Sequence, residues 1–434
     1  MCDSNIGCEK EEACCGSNDG GGGGPVRNRA TPSSGSAAGT GDEESAATST
    51  AANSGKKIVR RVKAIAKRKI PDDIVLNDAL NNAISLLPKN YNFEIHKTLW
   101  RIRTEESKVV ALQFPEGLLM YSCIISDILI KFGNVRVLIL GDVTYGACCI
   151  DDFTAEKLGA DILVHYGHSC LVPVNVTKIK VVYVFVEIYF NENHLIDCVK
   201  KSFPDINTRI VLMGTIQFTS VIHAASTKFM EYYKNIKIPQ AKPLSSGETL
   251  GCTSPVLTDC DILVFVADGR FHLEAAMIRN PSVQAYRYDP YGKVLSIEEY
   301  EVEKMKDIRL AAINKAKTCK TFGLVLGTLG RQGSPPIFRR LRKLLKSKGK
   351  TVVPFLMAEI NPDKLALISQ IDAWIQIACP RLSIDWAGGF TKPILTPYEV
   401  EVAMNETSWK DVYPMDFYAS EGNNWSAGAI QNKR

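Results

Sequence analysis

The chain has 434 residues, 45% of them hydrophobic, with a formal charge of +5 and thirteen cysteines. That length and apolar share can fill two to four buried cores, which excludes a disulfide-stapled miniprotein and a wholly unfolded chain. The cysteines are scattered through apolar segments, and residues 1 to 30 hold no apolar stretch of the secretory type, so reduced thiols in a cytoplasmic protein are expected.

Residues 1–70 read as a disordered low-complexity tail rich in Gly, Ser, Ala and Thr, with five consecutive glycines from Gly20 to Gly24. Cys2, Cys8, Cys14 and Cys15 lie there, and without fixed geometry they make a poor metal set. The tail ends in KKIVRRVKAIAKRK, residues 56–69, with eight basic residues and no acid. Because the whole chain is +5, the remainder is −3, and the basic character is one local patch. It is either a solvated extension or a contact for an acidic or ribosome-associated partner, an RNA or a targeting receptor; no direct nucleic-acid contact is expected of the folded part. The longest apolar run, VVYVFVEIYF at 181–190, is interrupted by Glu187 and falls short of the ~20 residues of a membrane helix.

From residue 108 strands and helices alternate, and segments about a hundred residues apart resemble one another. VVALQFPEG (109–117), RIVLMGTIQF (209–218) and TFGLVLGTLG (321–330) read as first strands, each ending in a glycine-containing turn. VRVLILGD, IKIPQAK and TVVPFLMAE follow as second strands. ADILVHYGHS, CDILVFVADG and IDAWIQIACP match as third strands, with Asp161, Asp261 and Asp372 spaced by 100 and 111 residues. Continuous apolar strands separated by helical stretches such as 341–350 and 298–317 imply parallel sheets covered on both faces. The predicted fold is α/β: three degenerate repeats of a parallel-sheet unit, arranged with pseudo-threefold symmetry. Domains are expected at 71–205, 206–318 and 319–410, with a flexible C-terminal tail at 411–434.

In open parallel sheets the loops after the strands form the ligand crevice. One cysteine of each unit occupies such a loop: Cys148 in VTYGACC, Cys252 in GETLGCTSP and Cys379 in IACPRLS. A single buried cysteine is commonly a small core hydrophobe. Three of them on comparable edges of a repeat have a geometric reason to converge.

LQFPEGLL, GDVTYGACCIDD, LVHYGHSCLVP, GCTSP, ADGRFHLEA, YRYDPY, GTLGRQGSP and ACPRLSIDW, taken together, resemble the subunit 1 group of the 2-(3-amino-3-carboxypropyl)histidine synthases of diphthamide biosynthesis. The likeness runs from about residue 70 to about residue 410. It implies a [4Fe–4S] cluster held by Cys148, Cys252 and Cys379, one ligand per domain, with Cys148 chosen over Cys149 because the family's cysteine directly follows Tyr-Gly-Ala. Cubanes usually take four thiolates, so three leave one iron open. The resemblance further implies S-adenosylmethionine as co-substrate and transfer of its 3-amino-3-carboxypropyl group to C2 of a histidine in translation elongation factor 2. Implied partners are a paralogous second subunit and a small electron-donor protein. The chain lacks the C-x3-C-x2-C motif of ordinary radical S-adenosylmethionine enzymes.

Asp268, Arg270 and His272 in ADGRFH, and Arg331 and Gln332 in GTLGRQGS, are candidates for binding the carboxylate and ribose of S-adenosylmethionine, since arginine pairs well with carboxylates. The glycine loop lacks G-K-[ST] and is no P-loop. His165, His168 and Cys170 in HYGHSC, joined by Cys148, have a spacing open to zinc, although a strand-end histidine bonded to backbone is commoner. Glu116, in LQFPEG with Gln113 and Gly117, either meets the substrate histidine or caps the following helix. Two other functions share this pattern: a cluster-bearing electron-relay or scaffold subunit, and a quinolinate-synthase-like Fe–S dehydratase acting on small metabolites.

Overall fold

The computed structural model describes residues 69–142 and 144–428. The four tail cysteines and all of the basic segment except Lys69 lie outside the described residues.

Strand β1 (Tyr91–Asn92) precedes β2 (Val109–Gln113), β3 (Arg136–Ile139), β4 (Ile162–Tyr166) and β5 (Lys180–Val184), and the last four form a parallel sheet ordered β3-β2-β4-β5. The short strand β6 (Glu187–Ile188) pairs antiparallel with β1. The second sheet holds β7 (Arg209–Gly214), β8 (Asn235–Lys237), β9 (Ile262–Val266), β10 (Gln284–Asp289) and β11 (Val294–Glu298) in the order β8-β7-β9-β10-β11. Within it only β10 and β11 run antiparallel. The third sheet, again fully parallel, is β13 (Thr351–Met357), β12 (Thr321–Gly327), β14 (Ala373–Ile377) and β15 (Ile394–Leu395). In all three the order is second, first, third, fourth.

The strands are apolar throughout because both faces are covered. Val110 and Leu112 of β2 point into one core and Ala111 into another; Ile210 and Leu212 of β7 oppose Val211 and Met213; Leu324 of β12 opposes Val325. Such two-sided burial separates a parallel strand from the alternating pattern of a one-sided sheet.

The three repeat aspartates do the same work in each unit. Asp161 accepts the backbone N–H groups of Lys108 and Val109, Asp372 those of Lys320 and Thr321, and Asp261 that of Arg209. Each carboxylate satisfies donors at the start of a first strand that no neighbouring strand reaches.

The helix Val302–Thr318 joins the second sheet to the third. Its Arg309 is fully buried and forms a two-pronged pair with Glu399, Nε to Oε1 and Nη2 to Oε2 both at 2.7 Å. The same guanidinium donates to the carbonyls of Ser383 and Ile394, and Tyr413 donates to Glu399.

The C-terminal segment departs from the flexible tail expected over 411–434. Tyr413, Met415, Phe417, Tyr418, Trp425 and Ala427 are buried. Asp416 anchors a tight return: Trp425 Nε1 and Asn423 Nδ2 donate to its carboxylate, and Ser426 Oγ to its carbonyl. The physical reason is aromatic content, since large rings at 413, 417, 418 and 425 offset chain ordering that a polar tail could not. Among the described residues no helix is long and apolar enough to cross a membrane.

Candidate metal centre

The loop after β3 closes in a 3₁₀ turn, Ala147–Cys149, in which Cys149 N–H donates to the Gly146 carbonyl. Cys149 is buried beneath it, and Cys148 is half-buried. Cys252 lies between β8 and β9, so these two thiols occupy the connection from second to third strand in their units. Cys379 departs from that equivalence. It follows β14, a third strand, and is the residue before Pro380 in the helix Pro380–Trp386, where a proline's missing N–H costs nothing.

One apolar cluster extends from the third sheet into this region and contains Ala147, Leu171, Cys252 and Tyr418, with Cys148 packed against it. The three sulfurs share that place electrically. The neighbouring Cys149 thiol, burial, and the charges of Cys149, Cys252 and Cys379 push Cys148 well up. Burial and then Cys379 push Cys252 up to about 12. Burial raises Cys379 too, and Cys149 adds to it. Cys149 itself is lowered, chiefly by sharing a hydrogen bond with Cys148.

Loops of different units are clamped together here. Gly330, at φ +51°, brings the GTLGRQG loop of the third unit onto the cysteine turn of the first, and Arg331 N–H donates to the Cys148 carbonyl. A Cβ at Gly330 would stand 2.5 Å from the Cys149 carbonyl carbon and 2.6 Å from its oxygen. Rigid backbone on the far side leaves no room to yield. Gly330→Ala is therefore expected to part the two loops and to cut iron retention several-fold, read by iron content after anaerobic reconstitution; full iron retention would contradict this.

Arg381 makes the second clamp. It is 3% exposed, donates Nη1 to the Phe271 carbonyl at 2.7 Å and to the Gly251 carbonyl at 3.4 Å, and pairs with Asp385 and Glu274. Its guanidinium stacks on the Phe271 ring at 4.3 Å. One side chain thus ties the segment of Cys379 to the loop of Cys252. Its positive charge also opposes the rise of both thiols.

The polar candidates are divided. Gln332 Nε2 reaches the Cys149 sulfur at 3.5 Å. Arg331 has its Nε and Nη2 on the buried carboxylate of Asp152 and its plane over Phe153. Asp268 is exposed, and Arg270 is a half-exposed partner of Glu274 and Glu298. Glu116 is exposed at a helix start. Gln113 is buried: it donates to the Cys149 carbonyl, accepts from Asp151 N–H and meets His165 Nδ1 at 2.9 Å.

His272 of the second unit and His168 of the first face one another electrically. Burial, with His272 beside it, pushes His168 down to about 4, and burial, with Arg381 nearby, pushes His272 down to about 4. A histidine held below its unfolded value of ~6.5 supports the fold fully above that pH and loses its contribution as pH falls toward 4. The free energy of unfolding, read from chemical denaturation, is expected to fall between pH 6.5 and 4.5 by on the order of 2 kcal/mol per histidine after allowance for partial exposure. The double variant His168→Gln, His272→Gln should flatten that slope, and an unchanged slope would assign it elsewhere.

The residues fit a cluster better than one ion. Thiolates on a single zinc stand within ~4 Å of one another, given Zn–S bonds of ~2.3 Å. Among the described residues no three His, Cys, Asp or Glu side chains form such a group, the HYGHSC set included. Thiolates on separate irons of a cubane stand farther apart, and cysteine thiols are the donor type that such a cluster takes. The Tyr418 hydroxyl is buried without a geometric hydrogen-bond partner among the described residues, in the apolar cluster against which Cys148 packs.

Sequence reasoning missed Arg381, Tyr418 and the docking of Gly330. ACPRLS carried the arginine in plain view, but nothing local marks a partner more than a hundred residues away.

Residues 114–414 match a family model described as "Putative diphthamide synthesis protein". The chain is 53% identical over 379 residues to the 2-(3-amino-3-carboxypropyl)histidine synthase subunit 1 of Dictyostelium discoideum, covering 85% of this chain and 80% of that one. It is 52% identical to the human protein of the same name, covering 84% of each. A crystal structure of Dph2 from Pyrococcus horikoshii with a 4Fe-4S cluster superimposes with a TM-score of 0.63 at 25% identity, over 75% of this chain and 93% of that one. These likenesses set aside the quinolinate-synthase-like reading. The chain belongs to the diphthamide synthesis family, among its 2-(3-amino-3-carboxypropyl)histidine synthase subunit 1 members.

Proposed function

We propose that this chain is the cluster-bearing catalytic subunit that transfers the 3-amino-3-carboxypropyl group of S-adenosylmethionine to C2 of a histidine imidazole in translation elongation factor 2, releasing 5′-methylthioadenosine. The observation that supports the reading is that Cys148 packs on the apolar cluster containing Cys252, while Arg381 ties the segment of Cys379 to the loop of Cys252. Held by those thiolates, a [4Fe–4S] cluster supplies one electron and an open iron for the co-substrate. The chain works with a paralogous second subunit and a small electron-donor protein in the cytoplasm. Its three sheets stand about a pseudo-threefold axis, for which the shared strand order and the three strand-start aspartates are the support.

The chain's own residues hold and enclose the reactants. Arg381 and the loop at Gly330 fix the spacing of the thiols, and the apolar cluster around Tyr418 keeps water out. Of the five polar candidates, Gln332 reaches the Cys149 sulfur and Arg331 the Cys148 carbonyl, and Asp268, Arg270 and His272 are assigned roles in binding S-adenosylmethionine. His168 Nδ1 is buried without a geometric hydrogen-bond partner among the described residues and its ring is neutral near pH 7, so it can exchange a hydrogen bond with a group entering the site.

The test is an anaerobic assay of the chain with its paralogue, dithionite, S-adenosylmethionine and elongation factor 2. Methylthioadenosine and modified factor are expected in equal amounts. Product formation that persists when this chain's three cysteines are replaced, with the paralogue intact, would make it a relay or scaffold subunit instead.

A further inference from the structure

We infer that the Tyr418 hydroxyl donates a hydrogen bond to the Cys148 sulfur once that sulfur is a cluster ligand, and that the C-terminal segment thereby sets the reduction potential of the site. The inference rests on the cluster reading above.

The segment is built against the thiols. Ser254 N–H donates to the Met415 carbonyl at 2.9 Å, Phe417 N–H to the carbonyl of Cys252 at 3.2 Å, and Tyr418 N–H to Thr253 Oγ1 at 2.9 Å. The Cys252 loop therefore carries the backbone of Tyr418 as a neighbouring strand would. Asp416, locked by Trp425, Asn423 and Ser426, holds the return that follows. The Tyr418 ring lies edge-on to Phe417, with centroids 4.9 Å apart, and joins the apolar cluster that contains Cys252 and meets Cys148.

At 6% exposure the side chain is nearly sealed, yet its Oη makes no hydrogen bond within the geometry of the described residues. Buried hydroxyls are almost always satisfied, so an orphan aimed at a site calls for a partner that arrives with the ligand. Tyr418 belongs to the apolar cluster against which Cys148 packs, so the Cys148 sulfur is the ligating group on the same side as the ring. A neutral O–H beside a sulfur that turns anionic on ligation is a charge-assisted donor. Gln332 does not compete for that role, because its Nε2 is directed at Cys149. Hydrogen bonds to ligating sulfurs stabilise the more negative, reduced state of a cluster and raise its potential. Tyr418 is thus a positioning residue that acts through Cys148.

The test uses the full-length chain with its paralogue, reconstituted anaerobically, with midpoint potential followed by electron paramagnetic resonance during dithionite titration. Tyr418→Phe should keep full iron and shift the potential to more negative values, so that less cluster is reduced at a fixed dithionite potential. Replacing Tyr418 with 3,5-difluorotyrosine, a stronger donor of nearly the same shape, should shift it the opposite way. Wild-type potentials in both variants at full iron content would overturn the inference. So would a loss of iron in Tyr418→Phe with an unchanged potential in the remaining cluster, which marks packing alone. A wild-type complex that binds no cluster would overturn the underlying functional reading, and this inference with it.

Discussion

Replacing Cys148, Cys252 or Cys379 with alanine, one at a time, is expected to bleach the broad visible absorption of the anaerobically reconstituted protein and to lower product formation by roughly 100-fold or more. Each substitution would remove one of the three proposed ligands, and for one of them an adjacent thiol is at hand. Cys149 adjoins Cys148, and its charge reaches Cys379. Cys149→Ala is the discriminating control: it should retain cluster and product, because Cys149 is 2% exposed beneath the turn and its sulfur is engaged by Gln332. Loss of cluster in Cys149→Ala together with retention in Cys148→Ala would transfer the ligand role to the neighbour. Retention of iron and product by all three primary variants would remove the proposed enzyme altogether.

Arg381→Met should be nearly as damaging, by a different route. The substitution keeps an unbranched side chain over Phe271 but strands Glu274, Asp385 and the carbonyls of Phe271 and Gly251 without their cation. Breaking a buried pair on one side costs about 3–5 kcal/mol. The burial of Asp385 already pushes its carboxyl pKa up in spite of the arginine, so loss of the cation leaves it still less able to ionise. Thermal unfolding should move down by several degrees, and iron retention should fall because Gly251 and Pro380 flank two of the thiols. Arg381→Lys separates the two effects: it restores charge but not the planar fork, so part of the stability should return with little of the iron. A variant with wild-type melting and wild-type iron would show that the clamp is ornamental.

The candidate site was legible in unequal parts. Cys148, Cys252 and Cys379 were singled out because they lie in the loops that follow strands of a repeat whose register is set by the aspartates at 161, 261 and 372. Their common hydrogen bond to the start of a first strand shows why the offset holds: strand three must begin beside strand one for the carboxylate to reach. Arg331 carried a plausible signal that led elsewhere. A glycine loop with an arginine reads as an anion clamp, yet Asp152, 179 positions earlier, takes both prongs of its fork. The expected flexible tail at 411–434 differs from the structure over 411–428, where the aromatic residues that are buried are spaced too irregularly to make a pattern.

By itself, the sequence determined the α/β class and the three strand sets. These follow from local periodicity and from turns that a short stretch specifies alone. Only the tertiary structure decided which loops touch: Gly330 on Cys149, Arg381 on Gly251, Tyr418 on the Cys252 loop. Such contacts join residues a hundred or more positions apart, and their energy depends on shape and charge meeting in space. No window of the chain records that.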